Sequence, residues 1–336
     1  MPLNVLLVGA GEINFGSVEG PWNHTLRLER KLGTSLTVVA LVDPDVERAT
    51  AALSTKLKGS SASSYLQCEI FSTVQTAANA LSEANMPKLI ILGAPPSVRG
   101  SDIPGRDLEI QIIGAFPGSA LFVEKPLSNG LEDACQRVAR RVQQARTLVS
   151  VGYMLRYSQG DLSRYFGGDI RLPSIAARTV EHNEPAGFLS AKRFDEDNIP
   201  PDNRLPRLTS ATWKYINGAV GSLTHAIVLH GTLYDTEFEV YADGYRLKLI
   251  DPYNAPILSV RRPGITYEEI FKFTDDDPFF TEMSSMIDAI DHPEAQGAIL
   301  SSYEDAVKTH EFTWHIRRSS EAAARAEREQ GGSTAH

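Results

Sequence analysis

Short apolar runs alternate with helical patterns along the first half of this chain, and that alternation constrains the fold more than any other feature. The runs Val5–Val8, Leu36–Val42, Leu66–Phe71, Leu89–Leu92, Ala120–Val123 and Leu148–Val151 are rich in Val, Ile and Leu. Between them lie helical patterns at Val46–Leu57, Val74–Ala84 and Leu131–Ala145. Strands covered on both faces read as unbroken apolar runs, and strands joined through helices pair in parallel. The expected fold class is therefore α/β, with a doubly wound parallel sheet over residues 1–150.

The pattern changes beyond residue 151. Ile175–Glu181, Ala211–Ile216, Val220–Leu229, Phe238–Ala242, Tyr245–Ile250, Ile257–Val260 and Glu269–Phe273 have strand character with no helices between them. Asn217-Gly218 and Asp243-Gly244 are tight-hairpin signals, and Pro263-Gly264 marks a further reversal. These segments predict an α+β domain over 151–318 with a mainly antiparallel open sheet. Helical patterns around Phe280–Ile290 and Tyr303–Arg317 close it. Glu181–Arg207 is polar, holds Pro185, Pro200, Pro201 and Pro206, and reads as a surface loop. The tail 319–336 is expected to fray or be disordered.

Composition excludes several function classes. A formal net charge of −9 opposes a nucleic-acid or anionic-membrane surface. No apolar stretch reaches the roughly 20 residues of a membrane span. Met1-Pro2-Leu3-Asn4 lacks the basic and apolar regions of a secretion signal, which points to a cytoplasmic protein. Cys68 and Cys135 form neither a disulfide framework nor a metal spacing, so no metal is expected.

Chemistry-bearing residues gather where the predicted strands end. Val5-Leu6-Leu7-Val8-Gly9-Ala10-Gly11-Glu12-Ile13-Asn14 is a strand followed at once by glycines. Gly9 permits a tight turn, and Gly11 lets the backbone approach a pyrophosphate, with the next helix N-terminus aimed at the phosphates. Asn14 replaces the third glycine of the G-x-G-x-x-G pattern. A dinucleotide-binding Rossmann domain follows from this placement, with Glu12, Ile13 and Asn14 lining it; a tight turn with no ligand is the competing reading. Asn23 suits a helix N-cap and Gly33 a helix end, which leaves Gly16–Trp22 as a long phosphate-side loop. Asp43 ends the second strand, where a carboxylate accepts hydrogen bonds from ribose hydroxyls and repels a 2′-phosphate. NAD is therefore favoured over NADP. Asp43 could equally cap a helix beginning at Pro44. Ala94, Pro95 and Pro96 end the fourth strand in a rigid turn, and Glu124-Lys125-Pro126 ends the fifth. A lysine there can hydrogen-bond a substrate oxygen and carry a proton. Taken alone, a Glu-Lys pair is more often surface salt-bridge material.

With the glycines, Asp43, the Pro-Pro turn and Glu124-Lys125-Pro126 in order, the chain resembles the Gfo/Idh/MocA oxidoreductases, the family of glucose–fructose oxidoreductase and inositol dehydrogenase. Gly152-Tyr153-Met154-Leu155-Arg156-Tyr157 is similar to the segment that opens the family's substrate domain, and Trp213–Asp251 to its sheet. The resemblance implies NAD(P)-dependent hydride transfer to or from a small oxygenated metabolite, such as a sugar or polyol, with Lys125 assisting proton transfer. It also implies Tyr153 close to the nicotinamide, Arg156 and Tyr157 at the substrate, and a homo-oligomer formed through the second-domain sheet. One element departs from the pattern. Only Ser158-Gln159-Gly160 separate Tyr157 from Asp161, so the family segment carrying its usual acid/base His is missing and Ser158 falls at its place. His225 is the first candidate to replace it, with His24 and His182 behind. Two further readings stand beside the oxidoreductase: a non-redox descendant, an isomerase, cyclase or pseudoenzyme that keeps the dinucleotide as a structural ligand, and a nucleotide-sensing binding protein.

Overall fold

The computed structural model describes residues 2–17, 22–130, 132–153, 159–191, 196–201, 204–229, 235–252, 255–274 and 277–332. Arg156, Tyr157 and Ser158 lie outside the described residues. The chain divides into two compact units, Met1–Arg156 with Asp277–His310, and Tyr157–Asp276 with Glu311–His336.

The first unit is a six-stranded parallel sheet. Its strands are β1 (Leu3–Val8), β2 (Leu36–Val42), β3 (Glu69–Phe71), β4 (Leu89–Leu92), β5 (Ala120–Glu124) and β6 (Val149–Gly152), in the order β3-β2-β1-β4-β5-β6. That is the doubly wound arrangement whose strand order reverses between β1 and β4, and ligands settle outside the strand C-termini at such a point. The apolar runs become strands because their side chains are covered on both faces: Val5, Leu6, Leu89–Leu92 and Leu121–Val123 are all buried. Helices α1 (Glu12–Phe15), α2 (His24–Leu32), α3 (Val46–Leu57), α4 (Val74–Ala80), α5 (Leu108–Ala115) and α6 (Glu132–Ala145) lie between the strands. Asn23 caps α2 through its side-chain oxygen, which accepts the Leu26 N–H, and Gly33 ends the helix with φ +53°.

Several boundaries differ from expectation. Leu66–Cys68 stay outside β3, because a 3-10 turn at Ala62–Tyr65 runs into them, and only Glu69–Phe71 reaches β2. α4 stops at Ala80 and a short 3-10 turn takes Glu83–Asn85. The helix α8 (Pro278–Asp291) belongs to the first unit rather than to a second domain running from 151 to 318. Met283, Met286 and Ile287 recur at helical spacing and pack into the same core as Val5, Leu7, Leu28 and Ile91. Burying each such side chain contributes about 1.5–3 kcal/mol. Arg27 lies over the Phe279 ring at 4.5 Å and Lys31 pairs with Asp288 at 2.7 Å, which ties α8 to α2.

The second unit contains α7 (Gln159–Gly167), the strands β7 (Ala176–Val180), β8 (Leu208–Lys214) and β9 (Val220–Ala226) of a three-stranded antiparallel sheet, and a four-stranded antiparallel sheet. The latter comprises β10 (Glu237–Ala242), β11 (Tyr245–Ile250), β12 (Ile257–Arg261) and β13 (Glu269–Lys272). Asp243 and Gly244 both take positive φ, 47° and 78°, as the two-residue hairpin between β10 and β11 demands. In the polar segment 181–207, the buried Arg207 donates both guanidinium arms to the carboxylate of Glu196. The last helix, α9, spans Tyr303–Gly332, so the described part of the tail is helical, not frayed. The reason lies in the edge strand β7. Ser319 Oγ accepts the Ala177 N–H at 3.1 Å and donates to the Ile175 carbonyl, and Ser320 Oγ bonds Thr179 Oγ1. The helix thereby covers an exposed sheet edge, whose unpaired groups otherwise need water or another strand.

Candidate active site

The C-terminal ends of β1, β2, β4 and β5 assemble the site. Gly9 has φ +98°, and a Cβ there would lie 3.1 Å from Ala94 N, so the β1 turn and the β4 turn touch through a position open only to glycine. A Cβ on Gly11 would meet nothing within 4 Å, which leaves open space beside the backbone. Gly11 caps α1 without a side chain, so the first-turn N–H groups of Glu12 and Ile13 have no side-chain cap. Helix α1 is one turn long: Gly16 breaks it at φ +114° and α2 begins afresh at His24. Asn14 explains why the third glycine is dispensable. Its Nδ2 donates to the Val8 and Gly9 carbonyls at 3.2 and 2.7 Å, and its side chain lies against Gly93, pinning the loop to both strand ends.

Asp43 is 2% exposed at the end of β2. Its Oδ2 accepts the Ala10 N–H at 2.6 Å, and its Oδ1 accepts the Asp45 N–H and an Arg48 Nη2–H at 2.9 and 2.8 Å. Burial works to raise this carboxyl, but the bonds from Ala10, Arg48 and Asp45 outweigh it and hold the group below the ordinary aspartate value. Asp43 is not a helix cap. α3 begins at Val46, and Asp45 caps it by accepting the Arg48 N–H.

The fifth strand delivers a buried acid and a half-buried base. Glu124 is 4% exposed; its Oε1 accepts from His24 Nε2 at 2.8 Å, and its Oε2 accepts the Lys125 N–H at 2.9 Å. The His24 ring meets Phe122 edge-on at 5.1 Å, and its Nδ1 is buried with no hydrogen-bond partner. Lys125 Nζ lies 5.3 Å from the centre of the Trp22 ring, in a cation–π contact, and the Lys125–Pro126 peptide is cis. Pro95–Val98 forms a turn closed by the Val98 N–H donating to the Pro95 carbonyl.

The first unit thus brings together Gly9, Gly11, Glu12, Ile13, Asn14, Asp43, Ala94, Pro95, Pro96, Glu124 and Lys125. Tyr153 is buried just beyond β6. Of the three histidine candidates, His24 is the one joined to Glu124-Lys125. His225 stands exposed on β9, opposite Thr209, and His182 lies in the polar loop of the second unit. The pairing of His24 with Glu124 spans a hundred positions and has no local signature. Trp22 was likewise silent in the sequence, whereas for Arg48 a signal existed, a basic residue in the first turns after the acidic strand end.

The chain is similar to known proteins along most of its length. Residues 3–153 match the model of the "Oxidoreductase family, NAD-binding Rossmann fold", and residues 151–245 match that of a "Putative oxidoreductase C terminal domain". The uncharacterized protein UNK4.17 of Schizosaccharomyces pombe is 37% identical over 93% of this chain and 90% of its own length. The chain belongs to the Gfo/Idh/MocA oxidoreductase family. Its alignment with that fission-yeast relative runs to 366 positions, longer than this 336-residue chain, so the relative carries segments this family member lacks. Inositol 2-dehydrogenase 3 of Saccharopolyspora erythraea is 23% identical over 88% of both chains. The WlbA dehydrogenase of Bordetella pertussis, solved in complex with NADH and UDP-GlcNAcA, shares the fold with a TM-score of 0.60, covering 96% of this chain and 97% of its own at 13% identity. The Rossmann domain is accordingly an NAD-binding one, and the open space beside the Gly11 backbone leaves room for that cofactor.

Proposed function

We propose that the protein is an NAD(P)-dependent oxidoreductase acting on a small oxygenated metabolite, with Lys125 assisting proton transfer. The observation that carries this reading is the placement of Lys125 at the C-terminal end of β5, with Glu124 buried behind it, one strand beyond the sheet's switch point. When bound, the cofactor supplies a hydride acceptor or donor at its nicotinamide. Gly9, Gly11 and the N–H groups of Glu12 and Ile13 hold the pyrophosphate, and Asp43 binds the adenosine ribose. The loops after β4 and β5, which carry Ala94, Pro95, Pro96 and Lys125, would hold the nicotinamide end. There Lys125 Nζ would take a proton from the substrate hydroxyl as the neutral amine in oxidation, and as the ammonium would donate a proton to the substrate oxygen in reduction. Trp22 keeps the ammonium aligned, and the His24–Glu124 pair fixes the strand end from which it projects. Tyr153, Arg156, Tyr157 and His225 remain candidates for the substrate side of the reaction. Exposed apolar side chains on the four-stranded sheet, Tyr241, Ile270 and Phe271 among them, suit a homo-oligomer interface.

A fluorescence titration with NADH and NADPH tests the cofactor half of this reading. Saturable binding that favours NADH, weakened at least tenfold in Asp43→Ala, is expected. Equal affinity for both nucleotides, unchanged in Asp43→Ala, contradicts the role given to Asp43.

A further inference from the structure

Among the described residues the largest fully buried side chain is that of Arg99, 1% exposed, and the proposed reaction gives it no task. Its Nε–H donates to the Ala94 carbonyl at 2.8 Å, and its Nη1–H donates to the Leu127 carbonyl at 3.0 Å. Ala94 belongs to the turn that ends β4, and Leu127 follows Lys125-Pro126 at the end of β5. One planar guanidinium therefore bonds both loops that flank the proposed nicotinamide position. The next residue tightens the same junction: Gly100 has φ +73°, and a Cβ there would lie 2.4 Å from the Leu127 carbonyl oxygen.

A buried cation needs countercharge. Glu109, 0% exposed, supplies it with Glu124. Both Glu109 oxygens accept the Gly100 N–H, at 3.0 and 2.9 Å, and Tyr303 Oη donates to Oε1 at 3.4 Å. Burial lowers the Arg99 guanidinium from its ordinary value, against the pull of Glu109 and Glu124. A guanidinium that starts so far above neutrality stays charged.

We propose that Arg99 is a positioning residue that sets the spacing of the β4 and β5 loops for the nicotinamide half of the cofactor. The inference rests on the cofactor reading above. Lysine cannot replace it, because a single ammonium on a flexible stem does not reach two carbonyls with a fixed fork.

The test compares binding of NADH with binding of ADP-ribose, which lacks the nicotinamide, in the full-length protein and in Arg99→Lys. Losing one of the two carbonyl bonds loosens the junction between the loops, so about tenfold weaker NADH binding is expected, with ADP-ribose affinity within about twofold of wild type. Equal losses for both ligands, or no loss for either, overturns the proposal. A wild-type protein that binds neither ligand overturns the cofactor reading and this inference with it. If Arg99→Lys folds poorly, Arg99→Ala is titrated with NADH in the presence of ethylguanidinium. Recovery of NADH affinity with added ethylguanidinium supports the positioning role, and its absence in a protein that still binds ADP-ribose refutes it.

Discussion

Glu124 shows at the scale of one residue why this site is built as it is. A carboxylate taken out of water must be hydrogen-bonded, and here the His24 ring and the Lys125 N–H saturate it. Removing the ring strands that carboxylate, so His24→Ala is expected to destabilise the protein by about 1–3 kcal/mol in urea unfolding. An unchanged unfolding midpoint would show that the pair carries no stability. The thiols follow the same rule of burial. Burial pushes Cys135 up to about 11 and Cys68 up to about 12, the latter with help from Glu69, so neither is a thiolate at neutral pH. Native protein should therefore react with a maleimide or a disulfide reagent far more slowly than unfolded protein, and rapid labelling of either cysteine would contradict the account.

Elements are held together by apolar stripes and by single polar pins. α8 is committed to the Rossmann sheet through Met283 and Met286, both fully buried. Truncating Met283 to Ala should cost about 2–5 kcal/mol in denaturant unfolding, whereas a loss near zero would detach α8 from that core. The first turns of α9 are pinned to the loop before α6, where a His310 Nε2–H donates to the Gly130 carbonyl at 2.9 Å. Burial lowers the His310 pKa below its ordinary value of 6.5, against the opposing effects of Gly130 and Glu132. The unfolded chain then binds the proton more readily than the folded one. The stability His310 confers is present above the unfolded value and is lost as pH falls from there toward the folded value. Thermal unfolding of wild type should shift to lower temperature below about pH 6.5 by more than that of His310→Gln. Parallel pH profiles for the two proteins would contradict the assignment.

Across the whole molecule, the strands of both units were legible because burial on one or both faces writes itself into the sequence as runs and alternations. β2, β4, β11 and α3 fall where the apolar pattern puts them. What the pattern could not carry is long-range return. Met283, Met286 and Ile287 announce an amphipathic helix but not which sheet it covers, so α8 reads as part of the second domain until the packing is seen. The same holds for the tail: Ala, Glu and Arg favour a helix, but that Ser319 and Ser320 meet the edge of β7 could not be read from the pattern. At the site, the glycines, Asp43 and Glu124-Lys125-Pro126 were readable because their chemistry is local. His24 and Arg99 were not, since their partners lie far along the chain and come near only after the sheet has formed.

The most direct test of the central claim is a screen of polyols, sugars and related hydroxy compounds for substrate-dependent reduction of NAD, followed by nicotinamide absorbance, with Lys125→Ala beside the wild type. The account predicts turnover of at least one such compound by the wild type and a loss of about a hundredfold or more in kcat for Lys125→Ala, with NADH still bound. Turnover that survives undiminished in Lys125→Ala would contradict the role of Lys125, and nucleotide binding without substrate-dependent redox change on any compound would favour the non-redox descendant.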